Sequence, residues 1–249
     1  MSKRWRIGAV SYLNTRPFLL GIEQSGLKEQ IDLVKAYPSQ IAQSLIEDTI
    51  DIGLVPVAII PLLKEPYFIS DFCIGAVQEV ASVAIFSDVP MDKIEKVYLD
   101  HQSRTSVQLA RLMMKLYWEK EVEWIEADPD YIEKIGGTTA GVIIGDRALS
   151  AHNRFAFMYD LASAWKKYTG LPFVFATWVS NKPIPDEFKK QFDAANAYGL
   201  NHLDEVIAGI GQEEMIYDLK KYYTENISYT FTEEKKKGLD LFLKLLSNP

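Results

Sequence analysis

A single cysteine, Cys73, stands in this chain of 249 residues. That excludes an internal disulfide framework and any cysteine-cluster metal site. Within Phe72-Cys73-Ile74 it reads as a small buried hydrophobe rather than a reactive thiol. Histidine is almost as scarce. His101, His152 and His202 show no zinc-ligand spacing, so no metal site is expected. Positive charge is also short: 34 Asp and Glu face 27 Lys and Arg, a formal net charge of −7. A surface that coats nucleic acid or anionic membrane needs a surplus of cations, so both partners are excluded, though a local basic site is not. No stretch approaches the ~20 apolar residues of a membrane span. Ser11, Asn14 and Arg16 break the apolar run that follows the basic start, so no secretory signal is read and a soluble, cytoplasmic protein is expected. Nucleophile elbow, phosphate loop and dinucleotide fingerprint are all missing, and Gly136-Gly137 is a turn signal.

What is present is a large apolar fraction, 48 %, in a chain long enough for one large domain or two small ones. Apolar runs read as strands at 6–10, 31–36, 51–56, 80–86, 96–99, 122–125, 141–144 and 173–179. Helical patterns lie between them at 14–24, 38–46, 57–63, 106–119 and 160–168. This alternation predicts an open α/β sheet. The last third reads as helices at 185–198, 203–209 and 214–223. A final helix opens at the capping-box spacing Thr230-Phe231-Thr232-Glu233. The Lys235-Lys236-Lys237 run reads as a solvated helix face.

Three polar clusters sit where a strand runs into a helix, the place where open α/β sheets bind ligands. They are Ser11-Tyr12-Leu13-Asn14-Thr15-Arg16-Pro17, Asp100-His101-Gln102-Ser103-Arg104-Thr105-Ser106, and Gly145-Asp146-Arg147. The first two bring hydroxyls, an arginine and a helix N-terminus, whose unpaired N–H groups attract carboxylates. Two such starts suggest a small dianion held in a cleft. Each residue also has a plainer reading. Ser103 to Ser106 and Asn14 serve as helix caps, Asp146 pairs with Arg147 or caps the next helix, and Arg16 is a solvated charge. Ser82 sits mid-strand, bonded to backbone unless it faces a cleft. Asp160 reads as a cap, and Trp165 with Tyr168 as core.

The opening Ile7 to Pro17 resembles chorismate dehydratase of the futalosine route to menaquinone. The resemblance continues at Asp51-Ile52-Gly53-Leu54-Val55-Pro56, at Ser103 to Ser106, at Ile144 to Leu149, at Tyr159-Asp160-Leu161 with Trp165, and at Thr169-Gly170-Leu171-Pro172-Phe173-Val174. It implies a two-lobed α/β fold like the periplasmic-binding-protein (type II) fold, with a ligand cleft between lobes. Residues 1–86 and 174–249 would form lobe one and 87–173 lobe two, with crossings near Phe86 and Phe173. It also implies conversion of chorismate to 3-[(1-carboxyvinyl)oxy]benzoate and water, with no cofactor. Under that resemblance Asn14 and Ser82 are the catalytic pair. Ser11, Tyr12, Thr15, Arg16, Pro56, Ser103, Arg104, Thr105, Ser106, Gly145 and Asp146 are the substrate-binding set.

The substrate's chemistry indicates the mechanism. Loss of the proton on the ether-bearing carbon and of the neighbouring hydroxyl makes the ring aromatic. The intermediate carbanion is conjugated to the ring carboxylate, where hydrogen-bond donors stabilise it. Neither the opening motif nor Ser82 supplies a base, so the enolpyruvyl carboxylate of the substrate is the expected proton acceptor, with Asp146 or His101 as the alternatives. Two rival functions are a sister enzyme of the same route, which forms a dihydroxy-naphthoate with a histidine base, and a cytoplasmic sensor of small carboxylates.

Overall fold

The computed structural model describes residues 4–214 and 216–247. Residues 1–3, 215 and 248–249 lie outside it, and with them the first residues of the basic start, one position of the expected 214–223 helix and the last two residues of lobe one. The chain runs β1 (Trp5–Val10), α1 (Arg16–Gln24), β2 (Ile31–Ala36), α2 (Pro38–Ile46), β3 (Ile52–Pro56) and β4 (Tyr67–Ala76). It continues as β5 (Val83–Ser87), β6 (Lys96–Leu99), α3 (Thr105–Leu116), β7 (Glu123–Glu126), β8 (Thr139–Ile144), α4 (Asp146–Ala151), β9 (Phe157–Asp160) and α5 (Leu161–Thr169). Last come β10 (Phe173–Ser180), α6 (Asp186–Asn201), α7 (Leu203–Ala208), α8 (Leu219–Lys221), β11 (Ser228–Thr230) and α9 (Glu233–Ser247).

Two sheets result. The first has the order β11-β4-β10-β3-β1-β2 and the second β7-β6-β8-β5-β9. In the first, β1 is parallel to β2 and β3, and β10 lies antiparallel between β3 and β4. The chain therefore leaves the first sheet after β4, builds the second, and returns through β10 to the middle of the first. β5 pairs with β8 and β9 from Val83 onward, so the change of sheets precedes the expected crossing at Phe86. The return at Phe173 lies at the start of β10.

Local chemistry explains the elements. Pro38 at the first turn of α2 has no N–H to leave unpaired, and Gln40 accepts from the Tyr37 N–H. Ile41, Ala42 and Leu45 then bury one face of that helix. Aromatic rings seal both helical layers of the first sheet. Phe18 of α1 meets Tyr229 edge-on at 5.3 Å, and Trp178 of β10 meets Phe192 of α6 at 4.9 Å. On the other side Trp165, Phe173 and Phe242 join α5, β10 and α9. Such edge-to-face pairs add ~1 kcal/mol each to the burial of the rings. At Gly199 a Cβ would stand 1.7 Å from the Pro17 carbonyl oxygen, so only glycine lets α6 cross α1 this closely.

Several sequence expectations change. β4 was not expected, because Ser70 and Asp71 interrupt its apolar run; ten residues of strand form there through pairing with β10 and β11. β9 and β11, also unexpected, are four and three residues long. The 214–223 pattern gives only a 3₁₀ turn at Gln212–Glu214, the short α8 and a π-turn at Tyr222–Asn226. Tyr168 is 46 % exposed rather than core. The lysine run is not wholly solvated: Lys236 and Lys237 are, but Lys235 is 0 % exposed. Its ammonium donates to the carbonyls of Ser228 and Thr230 and lies 3.7 Å from Cys73 Sγ. Those acceptors hold a charge that burial alone would expel, while burial lowers its pKa. Cys73 is buried, as expected, and burial pushes its thiol up to about 11. Among the described residues no helix is long and apolar enough to cross a membrane.

Candidate active site

The opening loop begins where β1 ends. Ser11 and Tyr12 lead into a 3₁₀ turn at Leu13–Thr15, and α1 follows with Pro17 in its first turn. Tyrosines from the far end of the chain grip this loop. Tyr223 donates to the Leu13 carbonyl and Tyr229 to the Asn14 carbonyl, each at 2.9 Å. The Thr15 hydroxyl donates to Asn14 Oδ1 at 3.1 Å, fixing which way the amide faces.

Ser82 is presented by a strained turn. Ala81, the residue before it, has φ +63°, a left-handed conformation that costs an L-residue ~1–2 kcal/mol. Bonds on both sides hold it there. Asp160 Oδ2 accepts the N–H groups of Val80 and Ala81 at 3.0 and 2.9 Å, and the His152 ring lies 2.7 Å from the Ala81 carbonyl. Asp160 Oδ1 also caps α5 by accepting from the Ser163 N–H at 2.8 Å. Non-glycine residues held in this region concentrate at functional sites, where surrounding bonds enforce the strain. Ser82 therefore stands just ahead of β5 and not within a strand. The turn keeps its hydroxyl out of the alternation of the ladder.

The second sheet supplies the opposite wall. At the start of α3, Ser103 Oγ accepts the Ser106 N–H at 3.0 Å, and Thr105 Oγ1 accepts the Ala58 N–H at 3.2 Å. With their oxygens engaged by backbone donors, both hydroxyls keep a hydrogen to offer. Beneath them Asp100 is fully occupied. It pairs with Arg147 at 2.7 Å and accepts from Tyr131 at 2.9 Å. Arg147 thus belongs to Asp100, not to Asp146 as a neighbour pairing would have it. Gly145 has φ +63°, and a Cβ there would press on the Tyr12 ring at 3.1 Å. Glycine is required at this point of closest approach.

The opening loop adds its own contacts between the walls. Tyr12 donates to Gln102 Oε1 at 2.5 Å, and the Asp146 carboxylate accepts the Leu13 N–H at 3.1 Å. Burial pushes the Asp146 carboxyl up to about 6, although the Leu13 N–H pulls the other way. Between the walls lies a cavity that opens to solvent. Tyr12, Asn14, Thr15, Pro56, Ser82, Ser103, Arg104, Thr105, Ser106 and Gly145 line it, with Leu54, Ile74 and Phe175 among the apolar residues. Ser11, Arg16 and Asp146 are not in its lining. Ser11 is exposed, Arg16 pairs with Glu214 at 2.9 Å, and Asp146 binds the loop from behind. His101 is exposed and also outside the lining. The lining holds one cation, Arg104, and no carboxylate, histidine or lysine. Among the described residues no group of three His, Cys, Asp or Glu could hold a metal.

Sequence reasoning missed the tyrosines at 222, 223 and 229. Their partners lie 140 to 215 positions away, and nothing local marks them. The one available signal was their density, three within eight residues of a tail read only as helical.

Comparisons with known proteins follow the same geometry. A chorismate dehydratase from Thermus thermophilus is 26 % identical over 270 residues, covering 98 % of this chain and 95 % of that one. A chorismate dehydratase from Campylobacter jejuni is 25 % identical over 244 residues, covering 95 % of each. A solved Candida albicans protein, described as exhibiting the generic periplasmic binding protein structural fold, superposes with a TM-score of 0.66 at 13 % identity. The match covers 99 % of this chain and 90 % of that one, so the two-lobed α/β fold is that of the periplasmic binding proteins. Matched from residue 5 to residue 248 by the family model described as menaquinone biosynthesis, the chain belongs to that family.

Proposed function

We propose that the cavity binds chorismate and eliminates water from it, giving 3-[(1-carboxyvinyl)oxy]benzoate, as a cytoplasmic hydro-lyase of the futalosine route to menaquinone. The names of the Thermus and Campylobacter relatives support this reading. The observation that carries it is the wall chemistry: hydroxyls, an amide, one arginine and a helix start, with no carboxylate, histidine or lysine to take a proton. Such a wall suits a dianion that brings its own base.

In this reading the ring carboxylate lies at the start of α3. It accepts from Ser103 and Thr105, with Ser106 and the Arg104 charge beside them. The enolpyruvyl carboxylate, folded over the ring, removes the proton from the ether-bearing carbon. Negative charge then spreads into the ring carboxylate, where those donors stabilise it, and the neighbouring hydroxyl leaves with the abstracted proton as water, restoring the enolpyruvyl carboxylate as the ring becomes aromatic. Asn14 and Ser82 orient the reacting groups and donate to them. Tyr12, Thr15, Pro56 and Gly145 shape the wall. Ser11, Arg16 and Asp146 contribute through the opening loop. Holding the acceptor against the proton can supply several kcal/mol of the rate enhancement. Lobe one would comprise residues 1–86 and 174–249 and lobe two 87–173, with the forward boundary drawn back to the Val80–Ser82 turn because β5 pairs in the second sheet.

Incubation with chorismate tests the assignment. The expected result is loss of chorismate and appearance of the aromatic ether by mass spectrometry. Binding with no turnover would point instead to a sensor, and turnover only of the cyclic futalosine derivative to the sister enzyme.

A further inference from the structure

Tyr222 forms no part of the cavity wall, yet it holds one of the two side chains assigned to the reaction and feels the other. Its hydroxyl donates to Ser82 Oγ at 2.9 Å, and Asn14 acts to lower the pKa of the same phenol. Asn14 Oδ1 is already taken by the Thr15 hydroxyl, which leaves the amide N–H groups to face Tyr222 and the cavity. Two donor bonds are thus set, Thr15 to Asn14 and Tyr222 to Ser82. With its oxygen engaged by Tyr222, Ser82 must point its own hydrogen elsewhere. Among the described residues the acceptor it reaches is the Val80 carbonyl at 3.5 Å, which already takes the Ser82 N–H at 2.8 Å. At that length the contact is marginal, so the hydrogen is available to an acceptor in the cavity.

Tyr222 differs from its two companions. Tyr223 and Tyr229 bond backbone carbonyls, whereas Tyr222 bonds a side chain that lines the cavity. It is 0 % exposed and leads the π-turn at Tyr222–Asn226, a rare wide turn that recurs at functional sites. Burial keeps the phenol protonated far above neutral pH.

We propose that Tyr222 is a positioning residue for the dehydration, orienting the Ser82 hydroxyl as a donor into the cavity. This rests on the reading of the cavity as the chorismate site. No proton travels along this short chain of hydroxyls, Tyr222 to Ser82; the bond orients and polarises the serine.

The test is Tyr222→Phe, which removes one oxygen and keeps the ring. Steady-state kinetics with chorismate should show kcat lowered ~10–100-fold with KM within about twofold, since an oriented donor is lost and the binding wall is kept. The ratio of wild-type to variant kcat should stay constant from about pH 6 to 9, because no member of the chain titrates there. Circular dichroism establishes folding at the assay temperature, and Tyr222→Met repeats the measurement should Phe lower it. A kcat within twofold of wild type overturns the proposal. So does a loss no larger than that of Tyr223→Phe, which reports a loosened tail, or a ratio that varies with pH. A wild-type protein that leaves chorismate unchanged defeats the functional reading instead.

Discussion

At the scale of single residues, Asn14 and Ser82 carry the sharpest expectation. In the proposed reaction each provides a directed donor, and removal of one such donor costs ~100–1000-fold in turnover. Asn14→Ala and Ser82→Ala should therefore lower kcat by that order with little change in melting temperature, read from steady-state kinetics and thermal denaturation. Asp160 acts on the same serine from beneath. Its carboxylate is the acceptor for three N–H groups, those of Val80, Ala81 and Ser163. Asp160→Ala strands these donors at ~1 kcal/mol or more each. For a chain of this size the loss should depress the melting temperature by ~6 °C or more and release Ala81 from its left-handed turn, so kcat falls as well.

At the scale of elements, the start of α3 is the unit to perturb. Ser103→Ala removes an N-terminal cap and a donor together. The cap is worth ~1 kcal/mol, or ~2–4 °C in melting temperature. The lost donor should raise KM for chorismate ~5–10-fold, with a smaller effect on kcat if the carboxylate is bound similarly before and during reaction. Elements are also where the reach of the sequence becomes plain. β2 was legible to the residue, since Ile31 to Ala36 is bounded by turn residues, and so was α2 behind Pro38. β4 was not, because its strand state depends on β10, a hundred residues further on. The opening loop and the start of α3 announce themselves through local polar clusters at strand ends. Ser82, Asp160 and the tail tyrosines do not, because their meaning lies in partners remote in sequence. Lys235 shows the same limit, since no neighbour in the sequence distinguishes it from the solvated Lys236.

At the scale of the whole molecule, the lobes meet through a titratable contact. Asp146 ionises at about 6 in the fold, above the ordinary 3.8. A raised carboxyl pKa adds stability below the unfolded value and loses it as pH rises through the folded one. Stability should thus decline between about pH 4 and 6, and ~3 kcal/mol of that decline belongs to Asp146. Burial shifts Asp160 into the same range. Asp146→Asn should therefore flatten the profile of melting temperature against pH by about half. Net charge of −7 opposes the entry of a dianion, so binding depends on short-range donors, and salt should lower KM modestly as it screens the body of the protein.

The tyrosine grip also sets an order of assembly. Leu13 and Asn14 are synthesised well before the groups that hold them, which lie 210 and 215 positions later. The second sheet, drawn wholly from residues 83–160, has all its strands long before then. During synthesis one wall of the cavity can be complete while the other waits for its last bonds. Closing so long a loop comes late and slowly in folding. The nascent chain therefore carries an unfinished site until its tail is made, and activity arrives as one of the final events of folding.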